Sequence, residues 1–300
     1  MTLPPLVLSV ALLAVPAAAL GQSMHDHQAP APPAQAQPEK VTVPANPAWP
    51  AWADTAKARL EKSPRHGEWV DVKLAGSEKP VKTWVVYPER KDKAPVVIVI
   101  HEIYGLSDWI RAVADQLARE GFIAVAPDLV SGKGPGGGGT DSASSSDDVV
   151  KLVMALPREE VVQRLNAVRD YAMRLPSANG KTAAVGFCWG GSTSFAYAVV
   201  QPALDAAVVY YGTAPAADVL ASLQAPVLGL YGGDDARVTA TVEGTKTQMQ
   251  KLGKAYEVEV YAGAGHGFLR QQDGRGGANL KATDQAWPRT IAFIRKYTGK

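Results

Sequence analysis

The chain holds one cysteine, and its neighbours decide what that cysteine can be. Cys188 sits in Gly186-Phe187-Cys188-Trp189-Gly190-Gly191, after Ala183-Ala184-Val185 and before the apolar stretch Ser194–Val200. Strand, sharp turn and helix in that order make a nucleophile elbow, here with Cys where Ser more often stands. The turn holds its nucleophile in a strained backbone conformation, so the residues two positions away must be small. The helix that follows presents its positive end to a thiolate and to a developing oxyanion. With no second cysteine an intramolecular disulfide is excluded, leaving either inert packing or a thiol kept for its reactivity.

Two further groups complete a triad in chain order. Gly232-Gly233-Asp234-Asp235 follows the apolar run Pro226–Tyr231, and Gly263-Ala264-Gly265-His266-Gly267-Phe268 follows Tyr256–Tyr261. Nucleophile, acid and base in that order is the order of the α/β-hydrolase fold. Either Asp234 or Asp235 could orient the imidazole. The spacing Gly232-x-x-Asp235, with Val238 three residues on, favours Asp235. A fourth element, His101-Glu102-Ile103-Tyr104-Gly105, ends the run Pro95–Ile100. In this fold that loop supplies one oxyanion N–H and the residue after the nucleophile the other, here Ile103 and Trp189. Glu102 is unusual there, because a free carboxylate repels negative charge. It makes sense if paired with the thiol or another group, the alternative being a surface acid on a loop.

These residues need a scaffold that gathers strand ends. Strands are predicted at Val81–Tyr87, Pro95–Ile100, Phe122–Ala126, Ala183–Phe187, Ala206–Tyr211, Val227–Tyr231 and Tyr256–Tyr261. Helices are predicted at Ser107–Glu120, about Glu159–Arg174 and near Asp284–Tyr297. Apolar runs alternating with crossover helices predict an α/β architecture, a three-layer α/β-hydrolase fold around a mostly parallel sheet. In such sheets functional groups collect beyond the carboxyl ends of the strands. Ser131–Ser146 is a Gly/Ser-rich loop, within which Gly134-Pro135-Gly136-Gly137-Gly138-Gly139 reads as a flexible lid.

The N-terminal part reads differently. Leu6–Leu20 is an almost unbroken apolar run followed by Gly21, Gln22 and Ser23. It is short for a bilayer span and reads as a secretory signal over residues 1–21, although no Lys or Arg precedes it. The alternative is an uncleaved N-terminal anchor. Residues 22–50, rich in Pro, Ala and Gln, read as a disordered tether, residues 51–67 as a short helical lead-in, and residues 68–300 as the catalytic domain. Met24-His25-Asp26-His27 could hold a soft metal, but nothing nearby completes a site, so it reads as solvated tail and no metal site is assigned. The expectation is an exported protein, periplasmic or secreted, with no stable membrane span after processing. Of 300 residues, 46% are hydrophobic, enough for a full core. Lys+Arg total 31 against 29 Asp+Glu, a formal charge of +2 with no basic stripe, which argues against a nucleic-acid partner.

The five motifs His101–Gly105, Ala126-Pro127-Asp128-Leu129, Gly186–Gly191, Gly232-x-x-Asp235 and Gly265–Phe268 together resemble the dienelactone hydrolase family, from about Trp69 to the C-terminus. The resemblance implies the α/β-hydrolase fold, no cofactor and a triad of Cys188, His266 and Asp235. It implies that Glu102 interacts with the thiol and helps generate the thiolate when substrate binds. The family's type activity opens dienelactone, an enol-lactone, to maleylacetate. Family members acting on it hold its carboxylate with two arginines. Arg270 matches one; the loop Leu129–Pro135 contains no Arg and offers only Lys133, which lacks a bidentate fork.

The leading reading is therefore a hydrolase of a small-molecule ester or lactone. A thioesterase or acyl transferase could use the same triad, and a binding protein could retain the scaffold without catalysis.

Overall fold

The computed structural model describes residues 39–299 of the chain. The predicted signal segment, the Met24–His27 cluster and most of the tether lie outside those residues. In chain order the elements are α1 (Ala56–Glu61), β1 (Gly67–Val72), β2 (Val81–Val86), β3 (Ala94–Ile100), α2 (Asp108–Arg119), β4 (Ile123–Pro127), α3 (Ser146–Met154), α4 (Arg158–Met173) and β5 (Ala178–Phe187). They continue with α5 (Trp189–Val200), β6 (Ala206–Tyr210), β7 (Val227–Gly232), α6 (Ala236–Thr239), α7 (Val242–Lys251), β8 (Tyr256–Tyr261) and α8 (Ala278–Thr298).

The strands form one eight-stranded sheet in the order β1-β2-β4-β3-β5-β6-β7-β8. All neighbours are parallel except β1 with β2 and β2 with β4. The reason lies in the strand composition. Every residue of β3 is buried, as a strand covered on both faces requires. Its pleat divides the core: Val97 and Val99 pack toward α1, α2 and α8, while Val96, Ile98 and Ile100 pack toward α4, α5 and α7. This is the three-layer arrangement that the alternation of apolar runs predicts.

Local signals set the element ends. Ser107 caps α2 by accepting the Ile110 N–H, and Gly121, at φ 91°, ends it. Neither β1 nor α3 is among the predicted elements. Edge strand β1 has little buried surface, so its pattern is weak. Helix α3 grows from what read as the end of a loop, capped by Ser145, which accepts the Asp148 N–H. The preceding Gly-rich run is not the free lid expected from its composition. The Asp128 carboxylate accepts the Thr140 N–H at 2.7 Å and the Thr140 hydroxyl at 2.8 Å, tying the loop back to the end of β4.

Residues 39–50, the described end of the predicted tether, lie against the domain. Their carbonyls are taken by donors from the body: Arg59 donates to the Trp49 carbonyl at 2.6 Å and Gln272 to that of Pro50 at 3.0 Å. Proline removes N–H donors but leaves its carbonyl free to accept, so a Pro-rich strand can still be bound edge-on. No helix among the described residues is long and apolar enough to cross a membrane.

Candidate active site

The register of the sheet levels the strand ends that matter. Ile100 pairs with Gly186, Phe187 with Tyr210, Tyr210 with Leu230 and Gly232 with Tyr261. The segments beginning at His101, Cys188, Tyr211, Gly233 and Ala262 therefore leave the sheet at one edge, where an open parallel sheet places its ligands.

Cys188 leaves β5 at φ 57° and ψ −116°. A non-glycine residue in such a conformation costs on the order of 1–3 kcal/mol and persists only where the surroundings impose it. Here they do. The Cys188 N–H donates to the Tyr210 carbonyl at 3.0 Å, and its own carbonyl accepts the Ser192 N–H at 3.1 Å. A Cβ on Gly186 would lie 1.8 Å from the Gly190 oxygen. One on Gly190 would lie 2.4 Å from the Ile100 oxygen and 2.3 Å from that of His101. The small residues around Cys188 thus let the elbow press directly on the end of β3.

His266 and Asp235 meet across two loops. Nδ1 of His266 lies 2.5 Å from Oδ2 of Asp235. A carboxylate only accepts, so Nδ1 carries the hydrogen and Nε2 is left as the basic nitrogen. Asp234 turns outward and pairs with Arg275 at 3.2 Å. Of the two adjacent acids, Asp235 is the one beside the imidazole.

Burial pushes the Cys188 thiol above the usual range, opposed by a hydrogen bond from the Trp189 N–H and reinforced by the charge of Glu102. Burial and the Glu102 charge thus favour the thiol over the thiolate. The sulfur's hydrogen bond from Trp189 also puts one of the two expected oxyanion amides beside the nucleophile. Ile103 stands in a tight turn in which the Gly105 N–H donates to the Glu102 carbonyl at 3.1 Å and Gly105 adopts φ 68°.

The partner of Glu102 differs from the expected one. Its carboxylate is 4% exposed, and Oε1 lies 2.9 Å from Nε of Arg270, not in a bond to the thiol. Neither of those two atoms has an aligned hydrogen bond, so the attraction is one of charge. Burial raises the Glu102 carboxyl to about 7 and Arg270 opposes that rise. The same contact changes the reading of Arg270: the guanidinium expected to hold a substrate carboxylate already faces Glu102 and lies 5.0 Å over the Tyr104 ring. Lys133, the other candidate cation, pairs with Glu160 at 2.8 Å.

Two supporting residues were not singled out as such. His101 is fully buried; its Nε2 accepts the Leu129 N–H at 3.2 Å, so Nδ1 donates to the Glu102 carbonyl at 2.8 Å. Its ring stacks on Trp189 at 5.5 Å, and burial pushes its pKa down, which keeps it neutral. Tyr211, at φ 41°, is buried with its hydroxyl unpartnered among the described residues and its ring 5.1 Å from that of His266. In the sequence it reads only as the end of a strand, and nothing in its spacing marks it.

The sequence pattern of the Dienelactone hydrolase family matches residues 81–298. A "Putative carboxymethylenebutenolidase" of Salmonella typhimurium is 34% identical over 225 residues, 71% of this chain and 82% of that protein. The carboxymethylenebutenolidase of Pseudomonas putida is 32% identical over 183 residues, 60% of this chain and 77% of its own. Among solved structures, a "Putative Dienelactone Hydrolase" from Klebsiella pneumoniae superimposes with a TM-score of 0.69 at 29% identity, covering 78% of this chain and 99% of that one. Motifs, sheet order and relatives agree, and the chain belongs to the dienelactone hydrolase family, acting as a hydrolase of ester or lactone bonds.

Proposed function

We propose that the protein hydrolyses small carboxylic esters or lactones, carboxymethylenebutenolidase-like in its chemistry, through Cys188, His266 and Asp235. The thiol proton passes to Nε2 of His266 as sulfur attacks the carbonyl carbon. The resulting oxyanion is received by the amides of Ile103 and Trp189. Collapse breaks the C–O bond, the departing alkoxide takes the proton from His266, and a thioester remains. Water, deprotonated by His266, then attacks the thioester and releases the acid and the thiol. Asp235 holds the imidazole in the tautomer that can accept at Nε2.

The observation that carries this reading is the 2.5 Å contact of His266 with Asp235 at the same sheet edge as the strained Cys188. Mixing the enzyme with p-nitrophenyl acetate should release a burst of nitrophenol equal to the enzyme present, followed by steady turnover. Cys188→Ala should abolish both. Turnover that survives in Cys188→Ala would remove the sulfur from the mechanism, and no turnover in the wild type would favour a binding protein on this scaffold.

Export belongs to the same proposal. It is supported by the apolar run Leu6–Leu20 and the small residues after it. The mature chain should begin near Gln22, and N-terminal sequencing of the soluble protein that returned Met1 would refute this.

A further inference from the structure

Residues 39–53 precede the part of the chain that matches the family pattern, yet they touch the loop that carries Arg270 and the helix that follows the Glu102 turn. The Ala53 N–H donates to the Arg270 carbonyl at 3.0 Å. Three residues earlier the Pro50 carbonyl accepts from Nε2 of Gln272 at 3.0 Å, and the same nitrogen donates to the Leu269 carbonyl at 3.1 Å. Gln272 is 1% exposed, so these bonds are made away from water. Between them, the Ala51 carbonyl accepts from the Trp109 indole N–H at 3.0 Å. Trp109 lies in the first turn of α2, directly after the turn that holds Glu102 and Ile103.

The contacts extend along the segment. The Val41 N–H donates to the Asp273 carbonyl at 2.8 Å, Lys40 pairs with the Asp273 carboxylate at 2.8 Å, and the Gly276 N–H donates to the Glu39 carbonyl at 2.9 Å. The loop so held is one that needs holding. It contains Gly267, Gly276 and Gly277 at positive φ, and glycine loses more conformational freedom on ordering than any other residue. On its inner side the loop is fastened by Asn279, which accepts the Gly265 N–H and donates to the Gln271 carbonyl.

We propose that residues 39–53 are a positioning strap that sets the spacing between the Glu102 turn and the His266–Arg270 loop, and thereby the Glu102–Arg270 pair, through the hydrogen bonds at Pro50, Ala51 and Ala53. The strap touches none of the reacting atoms. Its effect passes through the backbone of Arg270, through Gln272 and through Trp109. The functional half of the proposal rests on the hydrolase reading above; the structural half does not.

Ala53→Pro isolates the key bond. Ala53 opens a short 3-10 turn, where proline's fixed φ fits, and Trp52 before it is extended at ψ 168°, as a residue preceding proline prefers. The N–H to the Arg270 carbonyl is lost, and the proline Cδ in its place pushes that carbonyl away. Hydrogen exchange on the full chain, well below its melting temperature, should show residues 267–276 exchanging faster in Ala53→Pro than in the wild type. In the same preparation kcat/KM for p-nitrophenyl acetate should fall about tenfold, the scale of one misplaced hydrogen bond. Trp109→Phe, which removes the indole N–H but keeps an aromatic body, should act in the same direction and serves if the proline variant does not fold. Asn46→Ala, altering a strap residue whose side chain bonds only within the strap, should change neither readout. Unchanged exchange of 267–276 in the folded variants would overturn the strap. So would faster exchange with kcat/KM kept within about twofold, a change of roughly 0.4 kcal/mol. A wild type inactive toward esters would sink the hydrolase reading, and the exchange measurement would still decide whether the strap holds the loop.

Discussion

Nε of Arg270 stands 2.9 Å from Oε1 of Glu102, so in the resting site this guanidinium faces the protein's own buried carboxylate. The carboxylate in turn bears on the nucleophile. Burial does most to keep the Cys188 thiol protonated, and the Glu102 charge adds to it. Sulfur that remains a thiol until substrate enters is protected from oxidation, because the thiolate is the form that oxidants attack.

Glu102→Gln tests this in two ways. Removing the charge should lower the thiol pKa, so iodoacetamide should alkylate the variant faster than the wild type at pH 7, by a factor of about two to five. Alkylation at equal rates would separate Glu102 from the sulfur. Stability gives the second readout. The Glu102 carboxyl is raised from its ordinary 4.5 to about 7, so between those pH values the folded state binds a proton that the unfolded state has lost. Stability must then fall as pH rises through that window and level off above it, by on the order of 3 kcal/mol at most. Subtracting the unfolding curve of Glu102→Gln should isolate the slope, and parallel curves would mean that Glu102 titrates normally.

Asp235→Asn and Asp234→Asn should part widely. The first replaces the group at 2.5 Å from His266 with an amide that can impose the wrong tautomer, and a loss in kcat on the order of a thousandfold is expected. The second removes only a surface pair with Arg275, and exposed pairs contribute about 0–1 kcal/mol to stability. Its kcat should be unchanged. Mild, equal losses at both positions would place the orienting acid elsewhere.

Gly190→Ala should fail for a reason that its chemistry hides. The added methyl would sit 2.4 Å from one main-chain oxygen of β3 and 2.3 Å from the next, and backbone in a fully buried strand cannot yield. The elbow would have to pull away from the Glu102 turn. Loss of both folding yield and Cys188 reactivity is expected; a stable, active variant measured by thermal unfolding and ester turnover would contradict the close approach.

What the sequence discloses and what it hides follow from range. The motif around Cys188, the strand before it and the helix after it are contiguous, so composition and spacing reveal the elbow. The contact of His266 with Asp235 is legible in another way, because chain order ties loops on adjacent strands together. Pairing of Glu102 with Arg270 has no such signal, since it depends on how a turn after β3 faces a loop after β8. Residues 39–50 are a different case. Their Pro and Ala content gives them no core of their own, but it says nothing about carbonyls that Arg59, Gln116 and Gln272 can reach from elsewhere. Helix α3 was hidden because it is short and follows glycines.

Arg270 and Lys133 separate two kinds of substrate. An ester bearing a carboxylate could draw the Arg270 guanidinium from Glu102, whereas a neutral ester could not. Lys133 cannot be the second cation while it pairs with Glu160, a residue that Arg164 also holds at 2.7 Å. Lys133→Ala should therefore leave KM unchanged for carboxylate-bearing and neutral esters alike. Arg270→Ala removes the counterion of Glu102 as well as a substrate contact, so kcat can shift for both classes. The ratio of the two KM values cancels that shared effect. It should rise about tenfold in favour of the neutral ester, the scale of one charge-assisted contact. A ratio that stays constant would confine Arg270 to holding Glu102, and a rise in the ratio on Lys133→Ala would mean that Lys133 leaves Glu160 when substrate binds.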